Sequence, residues 1–271
     1  MKEWNLISLA EARRLAIEAL AAAPRQTEEV GLRQALGRIA ACEMVSAEDN
    51  PSFDRSTVDG YAVRSEDLAA ASAATPVTLR LVGEVRMGRD YVGKISTGEA
   101  VRIPTGGMLP EGADGVLMQE YTAAGAAGTI LAARSVVRRE NMVARGDDVT
   151  TGTVVLAAGS KIGVPDLGVL ASCGFACVPV IKKPVVTVVT TGDEIISPEA
   201  TPLPGQIRDV NSFTLAALAE LAGCEVIQAE RVADSQAGLT SVLQAALATS
   251  DLILVSGGSS VGDRDYTTVA V

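Results

Sequence analysis

Val185-Val186-Thr187-Val188-Val189-Thr190-Thr191-Gly192-Asp193-Glu194 is the stretch on which the fold class turns. Its first five residues are uncharged and β-branched, which suits a strand covered on both faces. Gly192 and two carboxylates then break it. A helix is predicted from about Ser212 to Leu221, stopped by Gly223. Glu225-Val226-Ile227 reads as the next strand. Ser235 can cap a second helix running to about Thr249. Asp251-Leu252-Ile253-Leu254-Val255 is a third strand and runs into Ser256-Gly257-Gly258-Ser259-Ser260. This βαβαβ order builds a parallel sheet with right-handed crossovers. Such sheets take ligands at the carboxyl ends of their strands, so two of these strand ends are candidate binding loops.

Upstream the texture differs. Ser8-Leu9-Ala10-Glu11 has the form of a capping box, and Leu9, Ala12, Ala16 and Leu20 follow at helical spacing. Pro24 ends that helix, and a second short one is predicted over Leu32–Ala40, weakened by Gly37. From Pro51 to Gly159, Gly and Pro punctuate short β-prone runs such as Val77–Leu81 and Ala100–Ile103, the pattern of a β-rich lobe. Lys182-Lys183-Pro184 marks a boundary before the α/β segment. No internal repeat is present.

Composition bounds the function. A length of 271 residues fits about two domains. The net charge is −10, and −8 of it lies after residue 183, where eleven acidic side chains meet only Arg208, Arg231 and Arg264. With no basic run, the chain is a poor partner for nucleic acid or an anionic membrane. It has no histidine, which removes His triads and His metal sites and leaves oxygen or thiolate ligands for any metal. Two uncharged runs, Leu167–Ile181 and Gln236–Ser250, fall short of the ~20 residues of a membrane span. Met1-Lys2-Glu3-Trp4 does not open a signal peptide. Cys42, Cys173, Cys177 and Cys224 make no disulfide framework, and the Cys173/Cys177 pair reads as small buried residues in preference to a zinc site. A reduced cytoplasm is the expected compartment.

The residues that can carry chemistry are modest one by one. Ser256 to Ser260 offers glycine amides and hydroxyls for a phosphate. Asp193 and Glu194 end one strand, and Asp263 and Asp265 lie past another, a set suited to Mg²⁺ shared with ligand phosphates. They fit solvated loop acids equally well. Asp59-Gly60-Tyr61, Thr105-Gly106-Gly107 and Arg145-Gly146-Asp147-Asp148 read as turns by default.

Taken together, these motifs resemble one family. Phe53-Asp54-Arg55-Ser56-Thr57-Val58-Asp59-Gly60-Tyr61-Ala62-Val63-Arg64, Arg102-Ile103-Pro104-Thr105-Gly106-Gly107, Pro110-Glu111-Gly112, Val116-Leu117-Met118-Gln119-Glu120 and Arg145-Gly146-Asp147-Asp148 look like signatures of the molybdopterin molybdenumtransferases. So do Thr191-Gly192-Asp193-Glu194, Asp209-Val210-Asn211, Ser256-Gly257-Gly258-Ser259-Ser260-Val261-Gly262 and Asp265-Tyr266-Thr267. Their order and spacing cover essentially the whole chain.

The resemblance implies a mixed α/β fold. Residues 1–183 would form an elongated helical region, about 1–50 and 145–183, around a β-rich insert of about 51–144. Residues 184–271 would be a molybdopterin-binding α/β domain, incomplete at its C-terminus. It implies insertion of molybdenum from molybdate into adenylylated molybdopterin, with Mg²⁺-dependent release of AMP. Thr191, Gly192, Asn211, Ser256, Gly257, Gly258 and Ser259 would hold the cofactor, and Asp193, Glu194 and Asp265 the metal. Asp59, Thr105, Asp148, Glu194, Asp234 and Asp265 would be catalytic. A homodimer is implied, in which the N-terminal half of one subunit completes the cleft of the other. A molybdopterin adenylyltransferase and molybdoenzyme maturation factors are the expected partners. Arg55 stands where the family has a small polar residue. The family's later segments, with its molybdate-binding lysines and arginine, lie beyond Val271, so the chain by itself is expected to be inactive or nearly so. The alternatives are a gephyrin-like pterin-binding or dimerisation scaffold and an inactive fragment.

Overall fold

The computed structural model describes residues 7–21, 25–233 and 235–257. The chain divides into two compact units. One comprises Cys42–Ala158 and Val164–Ala176, the other residues 1–41, Gly159–Gly163 and the chain from Cys177 onward.

Helix α1 spans Leu9–Ala21. Half of the predicted capping box forms: the Glu11 amide donates to Ser8 Oγ at 3.2 Å. The Glu11 carboxylate turns instead to Arg14, which also pairs with Glu18, each at 2.6 Å, the spacings expected one helical turn apart. No residue of α1 is buried, and Leu9 is 87% exposed.

The helix predicted over Leu32–Ala40 does not form. A single 3₁₀ turn covers Leu32–Ala35. Gly37 then takes a left-handed φ of +76°. Ile39 and Ala40 continue extended and bridge to Lys161 and Val180. Strand pairing thus supplied partners for these backbone groups that a helix would have satisfied internally. Residues Thr27–Gly31 pair antiparallel with Cys177–Ile181, which leads through Lys182-Lys183-Pro184 into the α/β sheet. This ribbon is why the compact units do not part at the expected boundary of 183/184.

The β-rich unit is built on six strands: β1 Gly60–Val63, β2 Val77–Glu84, β3 Glu99–Ile103, β4 Gly115–Met118, β5 Thr122–Ala124 and β6 Thr129–Ala132. Their order is β4-β1-β3-β2-β6-β5, antiparallel except between β2 and β3. Strand alternation sends Val63, Ala100 and Leu117 to one face with Leu79 and Ile130, and Ala62, Val101 and Val116 to the other with Ile103 and Leu109. Both faces are buried. Helix α2, Val164–Ser172, belongs to this unit and holds Leu170 fully buried.

The α/β unit follows the predicted order. Strand β7 Val185–Thr191 is followed by helix α3 Asn211–Leu221, strand β8 Glu225–Val232, helix α4 Gln236–Thr249 and strand β9 Leu252–Ser256. The sheet order is β8-β7-β9, all parallel. Val186 and Val188 pack under α3 against Leu215 and Ala219, while Val189 packs under α4 against Leu239 and Leu243. Ser235 caps α4, accepting from the Gly238 amide at 3.2 Å. Gly223, at φ +92°, ends α3.

Two glycines make opposite tests of this packing. A Cβ on Gly60 would stand 2.0 Å from the Leu117 carbonyl oxygen, whereas one on Gly168, inside α2, would meet nothing within 4 Å. Gly60→Ala is expected to cost about 3 kcal/mol or prevent folding, since the backbone opposite cannot yield. Gly168→Ala is expected to add roughly 0.5–1 kcal/mol through the unfolded chain's lost freedom. Urea unfolding of both variants checks the two signs.

Candidate functional site

The carboxyl ends of β7 and β9 meet. Gly257 follows β9 at φ +115°, and a Cβ there would fall 2.3 Å from the Thr191 carbonyl oxygen and 2.8 Å from its Cγ2. Only glycine permits that approach. Gly192, at φ +154°, turns the chain out of β7, and its own Cβ would press on Ile195 at 2.9 Å. Across the mouth, Asn211 Nδ2 donates to Ser256 Oγ at 2.7 Å. Thr191, Gly192, Asn211, Ser256 and Gly257 are therefore gathered at one end of the sheet. Asp193 and Glu194 follow at once, exposed, in the turn after Gly192. The Ile207 amide donates to the Glu194 carbonyl at 2.9 Å, which ties that turn to the chain entering α3.

Two residues with local roles here were missed. Asp209 accepts from the Ser212 amide at 3.1 Å and from its hydroxyl at 2.6 Å, which fixes the start of α3 and so the place of Asn211. Its position three residues before Ser212 was a readable capping signal. Arg231 donates from Nη1 to the Ile195 carbonyl at 2.8 Å and braces the turn that carries Asp193 and Glu194. Nothing in the sequence pointed to that contact. Asp234, Gly258, Ser259 and Asp265 lie outside the described residues. Among the described residues no three Cys, Asp or Glu groups converge on a metal position. The donors at the mouth are carboxylates and hydroxyls, hard oxygen ligands of the kind Mg²⁺ takes.

The β-rich unit carries its own cluster. Asp59 Oδ1 accepts from the Thr105 amide at 2.7 Å and from the Thr105 hydroxyl at 2.9 Å. These bonds, with Arg102 nearby, hold the Asp59 carboxyl below the usual aspartate value. Backbone bonds stitch three loops around this pair. Gly106 donates to the Ser56 carbonyl at 2.8 Å, Ser56 to that of Gly107 at 3.0 Å, and Leu109 to that of Asp54 at 2.9 Å. Thr57 donates to the Asn141 carbonyl at 3.0 Å, and the Arg145 amide to Asp54 Oδ1 at 2.8 Å. Asp148 lies on the third loop with its side chain exposed and its amide donating to the Asn50 carbonyl at 3.0 Å. Arg55 is exposed on a short ribbon, opposite Val143. Asp49 was not singled out by sequence. It accepts from Arg145 Nε at 2.7 Å and from the Thr151 amide and hydroxyl at 2.9 and 3.0 Å, and these bonds lower its pKa. It pins the loop on which Asp148 stands.

Both clusters lie in segments that match known protein families. Residues 7–174 match the family described as MoeA N-terminal region (domain I and II), and residues 187–271 the family described as probable molybdopterin binding domain. The molybdopterin molybdenumtransferase of Haemophilus influenzae is 38% identical over 262 residues, which cover 97% of this chain and 63% of the relative. That of a Nostoc species is 36% identical over 242 residues, covering 89% and 55%. Two crystal structures of the molybdopterin biosynthesis MoeA protein of Pyrococcus horikoshii superpose with TM-scores of 0.82 and 0.80 at 35% identity. The matches cover 95% and 86% of this chain and 65% and 62% of those chains. The chain thus spans less than two thirds of the length of these relatives. It belongs to the MoeA family, whose curated members carry the name molybdopterin molybdenumtransferase.

Proposed function

We propose that the protein represented by this chain serves molybdenum cofactor synthesis, inserting molybdenum from molybdate into adenylylated molybdopterin with Mg²⁺-dependent release of AMP. The observation that carries this reading is the junction of β7 and β9, where Gly257 rests on Thr191 inside a segment matched to a molybdopterin-binding family. Ser256, Asn211 and the amide of Gly257 bind the pterin phosphate. Thr191 and Gly192 shape the opposite wall. Asp193 and Glu194, with Asp265 from outside the described residues, would hold Mg²⁺, which would supply positive charge at the pyrophosphate. Arg231 keeps the two carboxylates at the mouth by bracing their turn.

Asp59, Thr105 and Asp148 complete the cleft of a second subunit in a homodimer. Asp59 stays ionised because Thr105 solvates its charge, so it acts there as an anion, orienting water or metal-bound ligand. An adenylyltransferase supplies the substrate, and maturation factors of molybdoenzymes take the product. The reading places its action in the cytoplasm; among the described residues no helix is long and apolar enough to cross a membrane.

The full-length protein, given adenylylated molybdopterin, Mg²⁺ and molybdate, is expected to release AMP at a rate that rises with molybdate. Folded protein that releases none overturns the reading. Residues 1–271 alone are expected to bind the pterin yet turn it over orders of magnitude more slowly, and turnover at the full-length rate would contradict that.

The Asp59–Thr105 bond gives a pH test. A depressed folded pKa means a stabilising contribution that is complete above the ordinary aspartate range. It disappears as pH falls from that range through the lowered value. Asp59→Asn removes the charge at every pH. The gap in unfolding midpoint between wild type and Asp59→Asn is expected to hold down to about pH 5 and to narrow as pH falls further. A gap that stays constant sinks the assignment.

A further inference from the structure

Thr190 is fully buried, and its Oγ1 is the one buried side-chain nitrogen or oxygen among the described residues with no hydrogen-bond partner. An unpaired buried hydroxyl is costly, about 1–3 kcal/mol, and a valine of nearly the same shape would avoid that cost. Val186, Val188 and Val189 of the same strand do so. At the opposite end of β7, Thr187 is also buried, but its hydroxyl pairs with Ser250 Oγ at 2.6 Å. The orphan is therefore particular to the ligand end of the strand.

Its surroundings follow from the register. Thr190 lies opposite Arg231 on β8 and opposite Ser256 on β9. Val188 and Leu254, two residues earlier on their strands, pack on the α3 side of the sheet, while Val189, Val232 and Val255 pack on the α4 side. Arg231, Thr190 and Ser256 thus form one polar row across three strands on the α3 side, a single step beyond the apolar core. Ser256 is half-buried and held by Asn211, and Arg231 is exposed and held by Ile195. Both flanking side chains reach solvent while Thr190 itself is covered, so a ligand group reaches its hydroxyl where these side chains part.

We propose that Thr190 is a ligand contact, its hydroxyl kept unpaired to donate to an acceptor atom of the bound phosphopterin. This rests on the reading given above, and it adds a residue that neither the motifs nor the glycine turns select. The acceptor is an oxygen of the phosphate or an acceptor on the pterin ring.

The test uses the full-length protein and a fluorescence titration with molybdopterin. Thr190→Val is expected to weaken binding by ~10-fold or more, because the ligand acceptor is left unpaired. Its unfolding midpoint without ligand is expected to equal or exceed that of wild type. Thr190→Ser, which restores the hydroxyl, is expected to bind within a few-fold of wild type. If the weakening by Thr190→Val vanishes with dephosphorylated pterin, the acceptor is the phosphate, and if it persists, the ring. Wild-type affinity in Thr190→Val overturns the contact alone and assigns the hydroxyl to a buried water. A lowered midpoint with equal loss of affinity in both variants overturns it in favour of packing. Failure of wild type to bind pterin overturns the broader reading and this contact with it.

Discussion

The approach of Gly257 to the Thr191 carbonyl is the constraint on which the α/β unit depends. It brings the ends of two parallel strands to a separation that no side chain survives, and every residue of the mouth is placed relative to that junction. Strand β7 can carry it because β7 is the middle strand, paired on both edges and packed on both faces. A shift of one residue along β7 would turn Val188 toward α4 and Val189 toward α3, and would move Gly192 away from its turn. The same register that fills the core therefore also aims the site.

The β-rich unit solves a different problem with carboxylates. Its three motif loops have little regular structure, and their backbones need partners. Asp49, Asp54 and Asp59 each accept bonds from a loop distant in sequence, joining residues up to 102 positions apart. Such bonds use charge to fix geometry where a core cannot reach. The acids of this half are thus largely engaged in holding loops, while Asp148 presents its side chain to solvent.

Legibility in the sequence followed the range of the forces involved. The βαβαβ unit could be read because β-branching, capping and glycine stops act over a few residues, and Ser235 and Gly223 do what their positions predict. The helix expected over Leu32–Ala40 failed because its competitor was remote: the segment around Val180 and Lys161, more than a hundred residues away, offered strand pairing. The amphipathic pattern of α1 was real, yet no residue of that helix is buried, since periodicity reports a face and not what covers it. At the site, glycines and hydroxyls were readable as a motif. Asp209 carried a short-range capping signal that went unused, whereas Arg231 left none, because a guanidinium on a carbonyl 36 residues away has no local pattern.

The distribution of charge gives this arrangement its chemical sense. Residues 184–271 carry eight more negative than positive charges, and two of the carboxylates stand side by side at the mouth. An anionic phosphopterin placed beside Asp193 and Glu194 is repelled unless positive charge lies between them. Arg231 is the one cation of the described residues placed in the mouth row, and its guanidinium is committed to a backbone carbonyl. On the proposed reading a divalent cation would resolve the conflict, since it would be attracted by the protein's carboxylates and the ligand's phosphates alike. On the proposed reading, carboxylates that would exclude the ligand alone become the reason that ligand and metal bind together.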